Sequence, residues 1–241
     1  PRYERLKPVK RALIVVAKEP RPGETKTRLS PPLDQRDAVA LYQCFLLDTL
    51  DLVCQVEGVD RMIAYAPSNA KTYFRRVAPD GFRLVPQIGP SLGERLDHAL
   101  TDCLDQGYDQ VIVMNSDGPT LPVQHLRMAF SHLDRPEIDI VIGPSDDGGY
   151  YLIGVKRPCP ALFDVVMSTP EVLRDTLAAA RRAGLRAECL NTWYDVDTTG
   201  DLDRLIAELP LLPPDVARRT RRFLASWTAA KKPSSASNRP R

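Results

Sequence analysis

Four consecutive apolar residues, Val111 to Met114, end abruptly at Asn115-Ser116-Asp117-Gly118-Pro119. A run that is apolar at every position predicts a strand buried on both faces, as in a parallel sheet. Ala12 to Ala17 (ALIVVA) has the same character. Shorter apolar runs predict strands over Arg61 to Ala66, Phe82 to Pro86, Ile138 to Ile142, Tyr150 to Val155 and Leu185 to Leu190. Helical spacing fills the intervals. From Asp34 to Val56 it gives the stripe Val39, Leu41, Tyr42, Phe45, Leu46, Thr49, Leu50 and Val53. Further helices are predicted from about Ser68 to Val77, from the Gly89–Leu96 loop to about Gln106, and from Pro122 to Leu133. A longer one, Cys159 to Ala183, is interrupted near Ser168-Thr169-Pro170, and the last of the series is Thr199 to Leu209. Strands alternating with helices predict an α/β doubly wound sheet with helices on both faces.

The ends read differently. Pro1 to Lys10 is basic and predicts a loosely held arm. Residues 11–209 form a single domain. Pro210-Leu211-Leu212-Pro213-Pro214 then breaks the chain before an appended helix, Asp215 to Trp227, inside the span 210–230. Lys231 to Arg241 has a disordered composition.

Composition removes several classes of function. With 241 residues, 43% of them hydrophobic, the chain can bury a full core without covalent staples. A formal net charge of +2 and 7% aromatic residues argue against nucleic-acid and membrane partners. Five widely spaced cysteines without a CxxC pair read as reduced thiols, and three scattered histidines form no zinc pattern. The apolar runs are too short to span a membrane, so the expected location is the cytoplasm.

The chemistry-bearing residues follow strands. After the first strand comes Lys18-Glu19-Pro20-Arg21-Pro22-Gly23-Glu24-Thr25-Lys26-Thr27-Arg28-Leu29. Its prolines and glycine exclude regular structure, and its cations suit a phosphate or diphosphate. It lacks the spacing of a Walker A loop. Ser91 and Glu94 fit a capping box, while Arg95 in the first turn of that helix is a candidate for reaching an anion. Asp117 lies beyond a buried strand, where open α/β sheets bind ligands. It is equally well placed to cap the helix beginning near Pro122. Asp146-Asp147-Gly148-Gly149 joins two strands, either as a plain hairpin turn or as a loop bringing acids close to a ligand. Asp195 and Asp197 are expected to face the same way along an extended segment.

Together the segments PRPGETKTRL (20–29), LGER (92–95), SDGP (116–119), DDGGYYLIG (146–154), STP (168–170) and WYDVDT (193–198) resemble, in order, those of the bacterial DUF2064 family. This is a family of GT-A-like nucleotide-diphospho-sugar transferases, one branch of which is labelled as arsenosugar-biosynthesis glycosyltransferases. The resemblance covers roughly Arg11 to Leu209. It implies a three-layer α/β/α GT-A-like fold with a mixed, mainly parallel sheet, and a nucleotide over the carboxyl ends of its first half. The serine or cysteine usual after the metal-binding acid is Gly118 here, which removes a side chain near the presumed metal.

The resemblance implies a Mg²⁺ or Mn²⁺ cofactor on Asp117, joined by Asp197, with Lys26, Thr27, Arg28, Gly93 and Arg95 on the nucleotide phosphates. Asp146 or Asp147 would act on the acceptor, a small molecule, beside an acceptor loop of Gly148, Gly149 and Tyr150. The donor would be a nucleotide-activated sugar. The same segments are similar to phospholactate guanylyltransferases, which implies an alternative: nucleotidyl transfer from an NTP to a small phosphorylated acid. A third possibility is a nucleotide-binding module without activity, suggested by Gly118 and the appended helix.

Overall fold

A computed structural model of the chain describes residues 8–231. Residues 1–7 of the expected arm and 232–241 of the expected tail lie outside the described residues. Seven strands form one sheet: β1 (Arg11–Lys18), β2 (Asp60–Ala66), β3 (Phe82–Pro86), β4 (Gln110–Met114), β5 (Ile140–Pro144), β6 (Tyr150–Val155) and β7 (Ala187–Cys189). Their order is β3-β2-β1-β4-β6-β5-β7. The first four are parallel neighbours, with Ile14 of β1 opposite both Met62 and Val113. Strand β6 runs antiparallel to β4 and β5, and β7 is parallel to β5. The mixed, mainly parallel sheet that the family resemblance implies is therefore present.

Seven helices accompany it among the described residues: α1 (Gln35–Cys54), α2 (Lys71–Val77), α3 (Leu92–Asp105), α4 (Val123–Leu133), α5 (Val172–Arg182), α6 (Thr199–Glu208) and α7 (Arg218–Lys231). Side chains alternate across a strand, and β1 shows the consequence. Leu13, Val15 and Ala17 pack with Leu46 and Leu50 of α1 and with Leu126 and Phe130 of α4. Ala12 and Ile14 face the other way, toward Leu96 and Leu100 of α3 and Ala180 of α5. All five residues of β4 are buried, which is why their pattern does not alternate. No helix among the described residues is long and apolar enough to cross a membrane.

Four features depart from the expectations. Strand β5 begins two residues late and continues through Gly143-Pro144, where the Tyr151 ring lies 2.3 Å from the place a Cβ on Gly143 would take. Strand β7 is only three residues long, at the sheet edge. The Cys159–Ala183 segment is one short turn, Pro160–Leu162, followed by irregular chain, and α5 starts only at Val172. There Leu173 N–H donates to the Gly148 carbonyl at 3.1 Å, so its partner comes from a distant loop rather than from a preceding helical turn. Finally, the helix expected as an appendage is packed into the body of the domain. Buried Asp48 of α1 accepts from Arg219 N at 3.0 Å and Thr220 N at 2.8 Å, placing a carboxylate on the first turn of α7, where the helix dipole favours it. Leu224 of α7 joins Leu41, Phe45, Leu202 and Leu205 in a third core.

Candidate active site

Strand β1 leads to β2 on one side and lies beside β4 on the other, so the order reverses between β1 and β4. In open α/β sheets the crevice outside the carboxyl ends at such a point binds ligands. Here it is a cleft of about 1180 Å³. Its lining includes Lys26, Thr27 and Arg28 from the loop after β1, Arg95 of α3, and Asn115 and Asp117 after β4. Asp147, Gly149 and Tyr150 line it at the β5–β6 turn, and Asp195 and Asp197 complete it.

Lys26 is the centre of the arrangement. Its ammonium lies 2.5 Å from Asp117 Oδ1 and 2.7 Å from Asp197 Oδ1, and its side chain is only 5% exposed. The rings of Tyr42 and Phe45 lie near it, at 5.8 and 5.9 Å. Burial would depress the lysine's pKa, but the two carboxylates outweigh it and hold the ammonium above its ordinary value. Burial likewise opposes ionisation of Asp197, yet Lys26 and Arg28 bring that carboxyl below its ordinary value. Arg28, mostly exposed, reaches Asp197 Oδ2 at 3.1 Å.

Backbone contacts bring these acids together. Val196 N donates to the Asp117 carbonyl at 2.9 Å, tying the segment before α6 to the loop after β4. Asp117 does not cap α4: the N-cap position is Pro122, without a side-chain bond. Asp195 does not lie on a regular strand. Its Oδ2 accepts from Asn115 Nδ2 at 2.9 Å and Ser145 Oγ at 3.1 Å, whereas Oδ1 is buried with no hydrogen-bond partner among the described residues. Burial, and then the Asp117 charge, raise the Asp195 carboxyl from 3.8 to about 7.

The sequence-derived candidates divide sharply. Gly93, Asp146 and Gly148 stand outside the cleft lining. Gly93 is packed under Phe163, whose carbonyl would lie 2.8 Å from a Cβ. Asp146 pairs with Arg204 of α6 at 2.6 Å. Gly148, at φ 88°, is pressed against the Pro170 carbonyl. Arg95 lines the cleft but donates Nε to the Gly89 carbonyl at 2.7 Å, bracing the loop before α3. Asp147 Oδ1 accepts from Gly149 N at 2.9 Å. A side chain on Gly118 would meet the Tyr194 carbonyl at 3.0 Å and Asp195 Oδ1 at 3.7 Å, so that position faces the Trp193–Asp195 segment. Asn115 carries little signal in the sequence, being a lone amide at the end of an apolar strand. Asp195 is not among the sequence-derived site residues, although its spacing from Asp197 points there.

Asp195 is expected to make stability pH-dependent. Between pH 4 and 7 the folded chain retains a proton that the unfolded chain has lost, so stability falls as pH rises through that window. Complete linkage would amount to about 4 kcal/mol, and partial solvent access reduces our expectation to roughly 2 kcal/mol. His125, lowered by burial, acts in the opposite sense below its ordinary value, equally in wild type and in Asp195→Asn. Urea unfolding in EDTA at pH 5 and pH 8 should therefore show the variant gaining on wild type at the higher pH. An unchanged difference between the two would refute the assignment.

The fold is that of nucleotide-diphospho-sugar transferases and cytidylyltransferases. A Desulfovibrio desulfuricans protein, described as a candidate nucleotide-diphospho-sugar transferase, is 33% identical with a TM-score of 0.83, the match covering 92% of this chain and 96% of that one. The 4-diphosphocytidyl-2C-methyl-D-erythritol synthase of Anaerococcus prevotii (13% identity, TM-score 0.58, 84% of this chain and 96% of that one) shares the fold. So does a CMP:2-keto-3-deoxy-manno-octonic acid synthetase complexed with CTP (13%, 0.55, 84% and 99%). Residues 49–169 match the family described as an uncharacterized protein conserved in bacteria, DUF2064, and the chain belongs to that family. No curated protein matches its sequence.

Proposed function

We propose that this chain is a metal-dependent transferase with a nucleotide-diphospho-sugar donor and a small-molecule acceptor. The observation that carries the reading is the convergence of Asp117 and Asp197 on one cationic loop, at the carboxyl edge between β1 and β4. Among the described residues no group of three or more His, Cys, Asp or Glu side chains forms a ready metal cage. Two carboxylates nevertheless suit Mg²⁺ or Mn²⁺, which take hard oxygen ligands and complete their shell with substrate phosphates and water. When bound, such an ion would neutralise charge on the diphosphate leaving group.

The chain's own residues supply the rest. Lys26, Thr27 and Arg28 would hold phosphate oxygens, and the two cations would stabilise charge developing on the leaving nucleotide. Arg95 would contribute from the start of α3. On the opposite side Asp147, Gly149 and Tyr150 would receive the acceptor, with Asp147 orienting or deprotonating its hydroxyl. Asp146 is directed to Arg204, so its role would be to anchor the loop. We therefore expect Asp147→Asn to lower turnover by about 10²-fold or more, in keeping with the loss of a general base, and Asp146→Asn to lower it by less than about threefold. Steady-state kinetics of both variants test the division, and equal losses would contradict it.

One observation favours nucleotidyl transfer as a second reading. Both acids of the β5–β6 turn already accept a hydrogen bond or ion pair. A phosphorylated acceptor carries its own anionic nucleophile and needs no base. Incubation with NDP-sugars and NTPs, each with Mg²⁺ and an acceptor panel, separates the readings. Release of free NDP supports glycosyl transfer. Pyrophosphate formed in step with a phospho-acid adduct would replace it with nucleotidyl transfer, and binding without turnover across the panel would leave a nucleotide-binding module.

A further inference from the structure

The Lys26 ammonium lies between the carboxylates that a divalent ion would use. It contacts Oδ1 of Asp117 and of Asp197, is shielded from solvent, and has Arg28 as a second cation on Asp197 Oδ2. The formal charges of Asp117, Asp197, Lys26 and Arg28 therefore cancel. A divalent ion arriving alone would have to displace a bound ammonium and would leave these four side chains and the ion with two more positive than negative charges, around an ammonium that solvent scarcely reaches. A diphosphate arriving with the ion brings compensating negative charge and offers the ammonium new oxygen acceptors. The lysine's long flexible stem allows the transfer. Its backbone is held in the left-handed region, at φ 48° and ψ 42°, a costly conformation for a residue with a side chain and one that collects at functional sites.

We propose that Lys26 is an exchangeable internal counterion. It bridges Asp117 and Asp197 while the cleft is free of nucleotide, excludes divalent metal, and passes to the phosphates when diphosphate and metal enter together. This rests on the metal-dependent reading above and adds an order to it: bare metal binds weakly, and metal with diphosphate binds well. A lysine that only bound phosphate, without touching the carboxylates, would act on bare metal through longer-range repulsion alone, so its removal would change bare-metal affinity far less.

The test is direct binding of Mn²⁺, followed by electron paramagnetic resonance, to wild type and Lys26→Met, with and without inorganic pyrophosphate. Bare Mn²⁺ should bind Lys26→Met at least about tenfold more tightly than wild type, while pyrophosphate binds the variant more weakly. Equal bare-Mn²⁺ affinities would overturn the counterion role and leave the metal site standing. No Mn²⁺ bound to either protein, even with pyrophosphate, would overturn both. A second measurement on wild type needs no folded variant: the ¹⁵N signal of the Lys26 ammonium. It should persist with Mg²⁺ alone and move only when Mg²⁺ and pyrophosphate are both present. Movement with Mg²⁺ alone, or none with both, would refute the exchange.

Discussion

Asp117→Asn should lower kcat by at least about 10³-fold with a nearly unchanged fold. Removing one well-placed electrostatic contact from a reacting centre typically costs about 3–4 kcal/mol, or two to three decades of rate. Asp117 would contribute twice, as a metal ligand and as a partner of the lysine that addresses the phosphates. Asparagine keeps the shape of the side chain. It also leaves both backbone contacts in place, Asp117 N to Asn115 Oδ1 at 3.3 Å and Val196 N to the Asp117 carbonyl at 2.9 Å. A chain that retains its melting temperature within a few degrees, yet turns over at a thousandth of the wild-type rate, is the expected result. Turnover within tenfold of wild type at saturating Mg²⁺ would remove Asp117 from the chemistry of either transfer reaction.

How much of this was legible in the sequence depended on the range of the interactions involved. The strands at Ala12–Ala17 and Val111–Met114 were readable because burial on both faces leaves an unbroken apolar run. The place of an acid just past such a strand, in the lining of the cleft, was readable for the same reason, since topology fixes where the strand's carboxyl end lies. That Asp146 pairs with Arg204 while Asp147 lines the cleft was not readable. It depends on a turn that sends one of two adjacent acids toward Arg204, 58 residues away. Nor could spacing reveal that Lys26 pairs with carboxylates from two distant segments; sequence showed a cationic loop and suggested only what it could bind. The docking of α7 left a fainter trace. Asp48 interrupts the apolar face of α1, and a buried carboxylate requires a partner; the partner is the first turn of α7.

The same long-range logic makes Gly148 the position where a single methyl group should do most structural damage. At φ 88° an L side chain is strained, and a Cβ there would lie 2.0 Å from the Pro170 carbonyl oxygen and 2.7 Å from its carbon. Neither contact can relax by a side-chain rotation, because the atoms met are backbone. The turn would have to part from the 168–172 segment, losing the hydrogen bond from Leu173 N to the Gly148 carbonyl. Strain and overpacking together should destabilise Gly148→Ala by about 2–4 kcal/mol. Displacing the Asp147–Tyr150 wall of the cleft by an ångström should lower kcat by about 10²-fold. Gly184→Ala is the matched control. It has φ 68° but no atom of the described residues within 4 Å of a Cβ, so it should show only backbone strain, about 1 kcal/mol, with turnover unchanged. If chemical denaturation and steady-state kinetics give the two variants the same losses, the close approach of the β5–β6 turn to Pro170 does not shape the Asp147–Tyr150 wall of the cleft.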